Sequence, residues 1–138
     1  MKNKIEKGPI RIRAAIFATA LATAVLSTFF VISFSARAAG PKTWDGGGLT
    51  NNWSDAANWS DDIIPTSGDD VIFDGTSTKD ATIDVDITVS SINIGGGYAG
   101  TITQSNSASI QISGCSGKPC FQQSNGTFNG GSSTITTN

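Results

Sequence analysis

Polar and apolar positions change rhythm several times along this chain. Residues 14–35 form one nearly continuous apolar run behind Lys2, Lys4, Lys7, Arg11 and Arg13. Residues 40–65 keep neither a period of 2 nor one of 3.6, which predicts a folded lead-in, with a single helical turn over residues 55–58. Gly68-Asp69-Asp70 reads as a turn into Val71-Ile72-Phe73, and Asp74-Gly75 as the turn out, so a short strand is expected between them. Strict alternation follows. Ile83, Val85, Ile87 and Val89 are expected on one face, and Asp84, Asp86, Thr88 and Ser90 on the other, as in a strand with one buried and one wetted side.

At Ser90-Ser91 the parity flips, because the next apolar residues are Ile92 and Ile94. A straight strand would send these to the opposite face, so a bend or bulge between Val89 and Ile92 is needed to keep one interior. Gly95-Gly96-Gly97 predicts another turn, and Thr101-Ile102-Thr103 and Ser109-Ile110-Gln111-Ile112 supply further short pieces. A weak repeat runs through this region. Ile102-Thr103-Gln104-Ser105 matches Phe121-Gln122-Gln123-Ser124 nineteen positions on, and Ile110 matches Phe128 eighteen on.

The expected fold is therefore all-β: a right-handed parallel β-helix (solenoid) over residues 81–138, with a Trp-rich N-terminal cap or lead-in over residues 39–80. A small antiparallel β-sandwich is the alternative, since short strands and regular turns fit it too. The parity change and the wealth of Thr, Ser, Asn and Gln favour the solenoid, whose layers stack like on like and join polar side chains in ladders. The pattern is still running at Asn138, so the coils read as incomplete there, to be continued in a longer protein or covered by a stacking subunit.

The N-terminal pattern is that of an export signal. A basic head precedes the apolar run, and Ala36-Arg37-Ala38 supplies small residues for cleavage after Ala38. The run of 22 residues exceeds the usual signal core of about 7–15 and reaches the roughly 20 that span a bilayer. An uncleaved anchor through residues 14–35 is thus the alternative to a signal peptide over residues 1–38. Thr19, Thr23, Ser27, Thr28, Ser33 and Ser35 dilute the hydrophobicity and favour cleavage. Both outcomes place the remainder outside the cell or on its surface.

From residue 39 onward there is no Glu, Arg, His or Met, and ten aspartates face Lys42, Lys79 and Lys118, a net charge of −7. That sign opposes nucleic acid or anionic lipid as a partner. Without histidine the usual base near neutral pH is missing, and the serines lack the partner that would make one nucleophilic. Asp61 with Asp62, Asp69 with Asp70, and Asp84 with Asp86 are the pairs a glycosidase would need, but they sit in turns or on the wetted face. No enzyme is expected.

Three weaker chemical readings remain. Asp69, Asp70 and Asp74 offer hard oxygens that suit calcium, although no known loop spacing is matched and turn formation accounts for them equally well. No other cofactor is implied. Trp44, Trp53 and Trp59 would stack on sugar rings if exposed, as in a carbohydrate-binding module, or pack the core if not. Cys115 and Cys120 enclose Ser-Gly-Lys-Pro, a turn able to bring them within disulfide range outside the cytoplasm; free thiols are the alternative.

The segment Thr43-Trp44-Asp45-Gly46-Gly47-Gly48, Asn51-Asn52-Trp53-Ser54, Ala57-Asn58-Trp59, Pro65 and Gly68-Asp69-Asp70-Val71-Ile72-Phe73 resembles the start of the large repetitive β-helical surface proteins of bacteria, among them autotransporter-type passenger domains and adhesin-like proteins. Gly126-Thr127-Phe128-Asn129-Gly130-Gly131-Ser132 resembles their coil repeats. The resemblance implies a secreted or surface-displayed scaffold whose partners are glycans, host or cell surfaces, or further coils. It implies no catalytic motif, and the resembling proteins are usually much longer than this chain.

Overall fold

A computed structural model describes residues 38–138; the expected signal or anchor segment lies outside the described residues. The described chain contains ten short strands: β1 (Pro41–Thr43), β2 (Asp70–Phe73), β3 (Ala81–Ile83), β4 (Ile87–Val89), β5 (Ser91–Ile94), β6 (Thr101–Gln104), β7 (Ile110–Ile112), β8 (Phe121–Gln123), β9 (Thr127–Asn129) and β10 (Ile135–Thr137). They form three sheets, in the orders β1-β2-β5-β8, β3-β6-β9 and β4-β7-β10, and every strand pair is parallel. This is a parallel β-solenoid of about four turns. The antiparallel sandwich is excluded, because the hairpin pairing it requires is replaced by pairing with the next turn.

From β2 onward each turn visits the three sheets in order. Strands of three or four residues are as long as they can be, since Gly, Ser, Asn and Asp then bend the chain through a corner. The inward positions stack in columns. On the first sheet Val71 lies on Ile92 and Ile92 on Phe121; on the second Ala81 lies on Ile102 and Ile102 on Phe128; on the third Ile87 lies on Ile110 and Ile110 on Ile135. Ile83, Ile92, Ile102 and Ile110 all belong to one buried cluster. Each fully buried aliphatic of this kind contributes about 1.5–3 kcal/mol.

The flip at Ser90 is a corner between β4 and β5, as the pattern predicts, and both Ser90 and Ser91 are buried there. Ser90 sits against Gly114 of the next turn so closely that a Cβ on Gly114 would stand 2.1 Å from its Oγ. Only glycine lets the two corners stack. Two other expectations are corrected. Residues 83–89 are not one strand: a corner at residues 84–86 sends β3 and β4 to different sheets and leaves Val85 41% exposed. The nineteen-residue repeat also joins unrelated positions, because Phe121 stacks under Ile92 and Phe128 under Ile102. True partners lie from 21 residues apart (Asp70 and Ser91) to 29 apart (Ile92 and Phe121).

Residues 39–69 form the Trp-rich lead-in as the first turn of the stack. β1 opens the first sheet, and Asn52 bridges Thr82 in parallel to extend the second. Between Asn52 and β2 run two one-turn 3-10 helices, Ala56–Asn58 and Ser60–Asp62, the first capped by the Asp55 carboxylate on the Ala57 N–H. The predicted turn at residues 55–58 is this element.

Candidate functional site

The first turn is filled by aromatic rings. Trp44, Trp53 and Trp59 are fully buried and meet edge to face, with centroids 5.1 Å apart for Trp44 and Trp59 and 4.4 Å for Trp53 and Trp59. All three reach Phe73, which in turn contacts Tyr98 at 5.2 Å. The Trp59 indole donates to the Trp53 carbonyl and the Trp44 indole to the Lys79 carbonyl. The candidate sugar-stacking faces therefore meet one another and Phe73 instead of solvent, and the packing role is the one the structure displays.

Lys79 is the residue that holds the lead-in shut. Its ammonium donates to the carbonyls of Gly46 (3.2 Å) and Gly48 (2.6 Å) and to Asn58 Oδ1 (3.0 Å). Asn58, itself fully buried, donates through Nδ2 to the carbonyls of Thr50 and Asn52, both at 3.0 Å. The Lys79 carbonyl also accepts from the Tyr98 hydroxyl at 2.8 Å. Burial, then the nearby Asp80 carboxylate, pushes the Tyr98 phenol up to about 12. Nothing in the local sequence marks Lys79 for this task, since its partners lie more than twenty residues upstream.

The candidate calcium ligands point to separate partners. Asp69 is buried and accepts from the Gly40 N–H (3.1 Å) and from the N–H and hydroxyl of Thr66 (2.8 and 2.9 Å). Asp70 accepts from the Ser91 hydroxyl at 2.7 Å and pairs with the Lys118 ammonium; these bonds, the one from Lys118 foremost, hold its carboxyl below the usual range. Asp74 accepts from the Thr76 N–H at 2.9 Å within its own turn, and its bonds to Thr76 lower it likewise. Among the described residues no three His, Cys, Asp or Glu side chains gather as a metal site would require.

Several aspartates tie one turn to the next. Asp80 accepts from the Thr101 N–H at 2.7 Å, Asp84 from the N–H and hydroxyl of Ser54, and Asp86 from the N–H (2.7 Å) and hydroxyl (2.9 Å) of Ser109. The backbone bond from Ser109 is the main cause that lowers the Asp86 carboxyl. Each carboxylate so placed satisfies a corner N–H that the ladders leave open.

Cys115 and Cys120 form a disulfide, with Cα atoms 4.7 Å apart. It closes the base of a loop between β7 and β8, and Lys118 at its tip reaches across the third turn to Asp70 in the second. At the opposite end of the first sheet Lys42 is buried and donates to Asp61 Oδ2 at 2.9 Å. Asp61 takes a left-handed backbone (φ 67°), a conformation that aspartate tolerates better than most residues. What the described residues assemble is thus a set of clamps between turns.

Comparison with family models, with curated proteins and with solved structures returned no match. What is established for the described chain is the β-solenoid fold, with its aromatic first turn and its disulfide-closed loop.

Proposed function

We propose that this chain is an exported, non-catalytic module of a cell surface or of the extracellular space, serving as a structural spacer or an adhesive surface. The observation that carries the reading is the use to which the polar side chains are put. Aspartates, serines, Lys79 and Lys118 fasten one turn to the next, and the outward columns repeat small polar residues, as in Thr82, Thr103 and Asn129 or Thr88, Gln111 and Thr136. A stack so built presents regular polar faces, the form that suits display and contact. The disulfide supports an oxidising compartment, because cytoplasmic thiols are kept reduced. The basic and apolar N-terminal segment supports the same address.

The test is expression of the full chain with a C-terminal tag in a bacterial host, followed by fractionation, external protease treatment and mass determination. The expected product lies outside the cytoplasm, with Cys115 and Cys120 resistant to alkylation until reduced. Recovery in the cytoplasm with both thiols freely alkylated would sink the proposal. Adhesion is scored separately, by retention of the purified protein on cell-surface polysaccharide, with the unfolded reduced chain as control.

A further inference from the structure

The corner from the third sheet back to the first is a single residue, Ser90, between β4 and β5, but residues 113–120 fill the equivalent corner between β7 and β8. Both ends of that insert are fixed by the preceding turn. The N–H groups of Ser113 and Gly114 donate to the carbonyls of Val89 (3.0 Å) and Ser90 (3.1 Å), and the Cys120 carbonyl accepts from the Ile92 N–H at 2.9 Å. Val89, Ser90 and Ile92 lie around one corner, so the stacking of turns brings Cys115 and Cys120 together. No sulfur takes part in these bonds. The pairing of turns, and not the S–S bond, therefore sets the base of the loop.

What the disulfide governs is the tip. Residues 116–119 are exposed, and the Lys118 N–H bonds the Cys115 carbonyl at 3.1 Å, which folds them into a tight turn. From that turn the Lys118 ammonium reaches Asp70, whose carboxylate also accepts from the Ser91 hydroxyl at 2.7 Å. Asp70 belongs to β2, Ser91 to β5, and the loop leads into β8, so this strap ties three successive layers of the first sheet. The two charged side chains are 38% and 41% exposed. An ion pair so open to water is weak unless something holds its partners in place, and the closed loop does this for Lys118. Cys115 and Cys120 are themselves only half-buried, within reach of a small thiol reagent.

We propose that Cys115–Cys120 is a reversible redox latch on this strap, opened by a dithiol reductant while the solenoid stays folded. One thiolate of the dithiol attacks a cysteine sulfur and the Cys115–Cys120 bond breaks; the second thiolate then resolves the mixed disulfide. The dithiol leaves as a cyclic disulfide, and its two electrons and two protons end on the protein as two cysteine thiols. Opening releases residues 116–119 and takes Lys118 from Asp70, whereas the backbone bonds at Ser113, Gly114 and Cys120 remain. Because they remain, the thiols stay neighbours and the latch closes again on oxidation. The coupling is reciprocal: if the closed latch favours the ion pair, the ion pair favours the closed latch by the same factor.

The purified full chain, equilibrated in graded mixtures of reduced and oxidised dithiothreitol, tests this. Alkylation and mass determination read the fraction reduced, while circular dichroism and tryptophan emission read the fold. The expected result is complete reduction with both fold signals unchanged, reversed when the reductant is withdrawn. Lys118→Met and Asp70→Asn should each lower the reductant ratio at the midpoint by about two- to fivefold, and the double variant no further than either alone. Asp84→Asn removes the same charge from a corner that is tied to Ser54 instead, and should leave the midpoint in place. A bond that resists the dithiol until the chain unfolds, or fold signals lost in step with reduction, would overturn the latch. Midpoints unmoved by Lys118→Met and Asp70→Asn, or moved equally by Asp84→Asn, would overturn the coupling to the strap.

Discussion

Replacing Lys79 by methionine removes one ammonium while keeping most of the stem that packs beside the first turn. Three bonds disappear, to Gly46 O, Gly48 O and Asn58 Oδ1. Bonds to a charged group contribute about 1.5–3 kcal/mol each, so a simple sum approaches roughly 4–9 kcal/mol. That sum is too large. Gly46 and Gly48 are only partly covered, so their carbonyls regain water, and Asn58 Oδ1 retains the Gly48 N–H at 3.0 Å. The methionine also avoids the cost of desolvating an ammonium. What remains is one buried acceptor short of a partner and a loop freed at three points, about 2–3 kcal/mol. For a unit of about 100 residues this lowers the melting temperature by roughly 10–20 °C. The assay is thermal denaturation followed by circular dichroism, with tryptophan emission as a local probe, because the Trp44 indole bonds the Lys79 carbonyl. A double cycle with Asn58→Ala should show strong non-additivity. A fall of less than about 3 °C, or additive losses in the cycle, would refute the claim that Lys79 closes the first turn.

Phe73→Ala empties the point where three tryptophans and Tyr98 converge, and calorimetry should show a loss of about 3–5 kcal/mol with emission moving to the red. The chain has a single tyrosine, so absorbance near the phenolate band reports Tyr98 alone; its midpoint should fall near 12 in the folded protein, and a midpoint near 10 would show the ring to be solvated. Because that folded value is raised, the stability it confers is complete below about 10 and declines as pH rises towards about 12. In acid the sign reverses. Asp55, Asp70, Asp74 and Asp86 are all held below their ordinary 3.8, so their support is present above that pH and is lost as pH falls through their folded values. Melting temperature should stay level from pH 7 to 5 and drop below about 4, and a drop already complete at pH 5 would contradict this.

Much of the fold was written in local pattern. Alternating aliphatics between small polar residues specify short strands with one buried face, and the parity flip at Ser90-Ser91 specifies a corner, because a straight strand cannot turn Val89 and Ile92 to one interior. The disulfide was legible for a similar reason, as a short turn-forming insert between two cysteines. What local pattern does not contain is register. Alternation says which side of a strand is buried, not which sheet the strand joins, so residues 83–89 read as one strand although a corner divides them and turns Val85 out.

The nineteen-residue match failed for the same cause. Loops between turns vary in length, notably the disulfide loop before β8, and only pairing across turns decides that Ile102 rests on Phe128 and Ile92 on Phe121. The chemistry of individual residues was decided at still longer range. Whether a tryptophan stacks on sugar or fills a first turn depends on Phe73, which is 14 to 29 residues away in the chain. Whether an aspartate binds calcium or ties two turns together depends on which N–H the next layer brings to it, as Ser109 is brought to Asp86. The amino-acid order alone fixed the alphabet of strands, corners and inward faces, through steric alternation and turn propensity. The stacking of turns, which lets residues twenty or more apart share hydrogen bonds and core contacts, fixed what each polar and aromatic side chain is for.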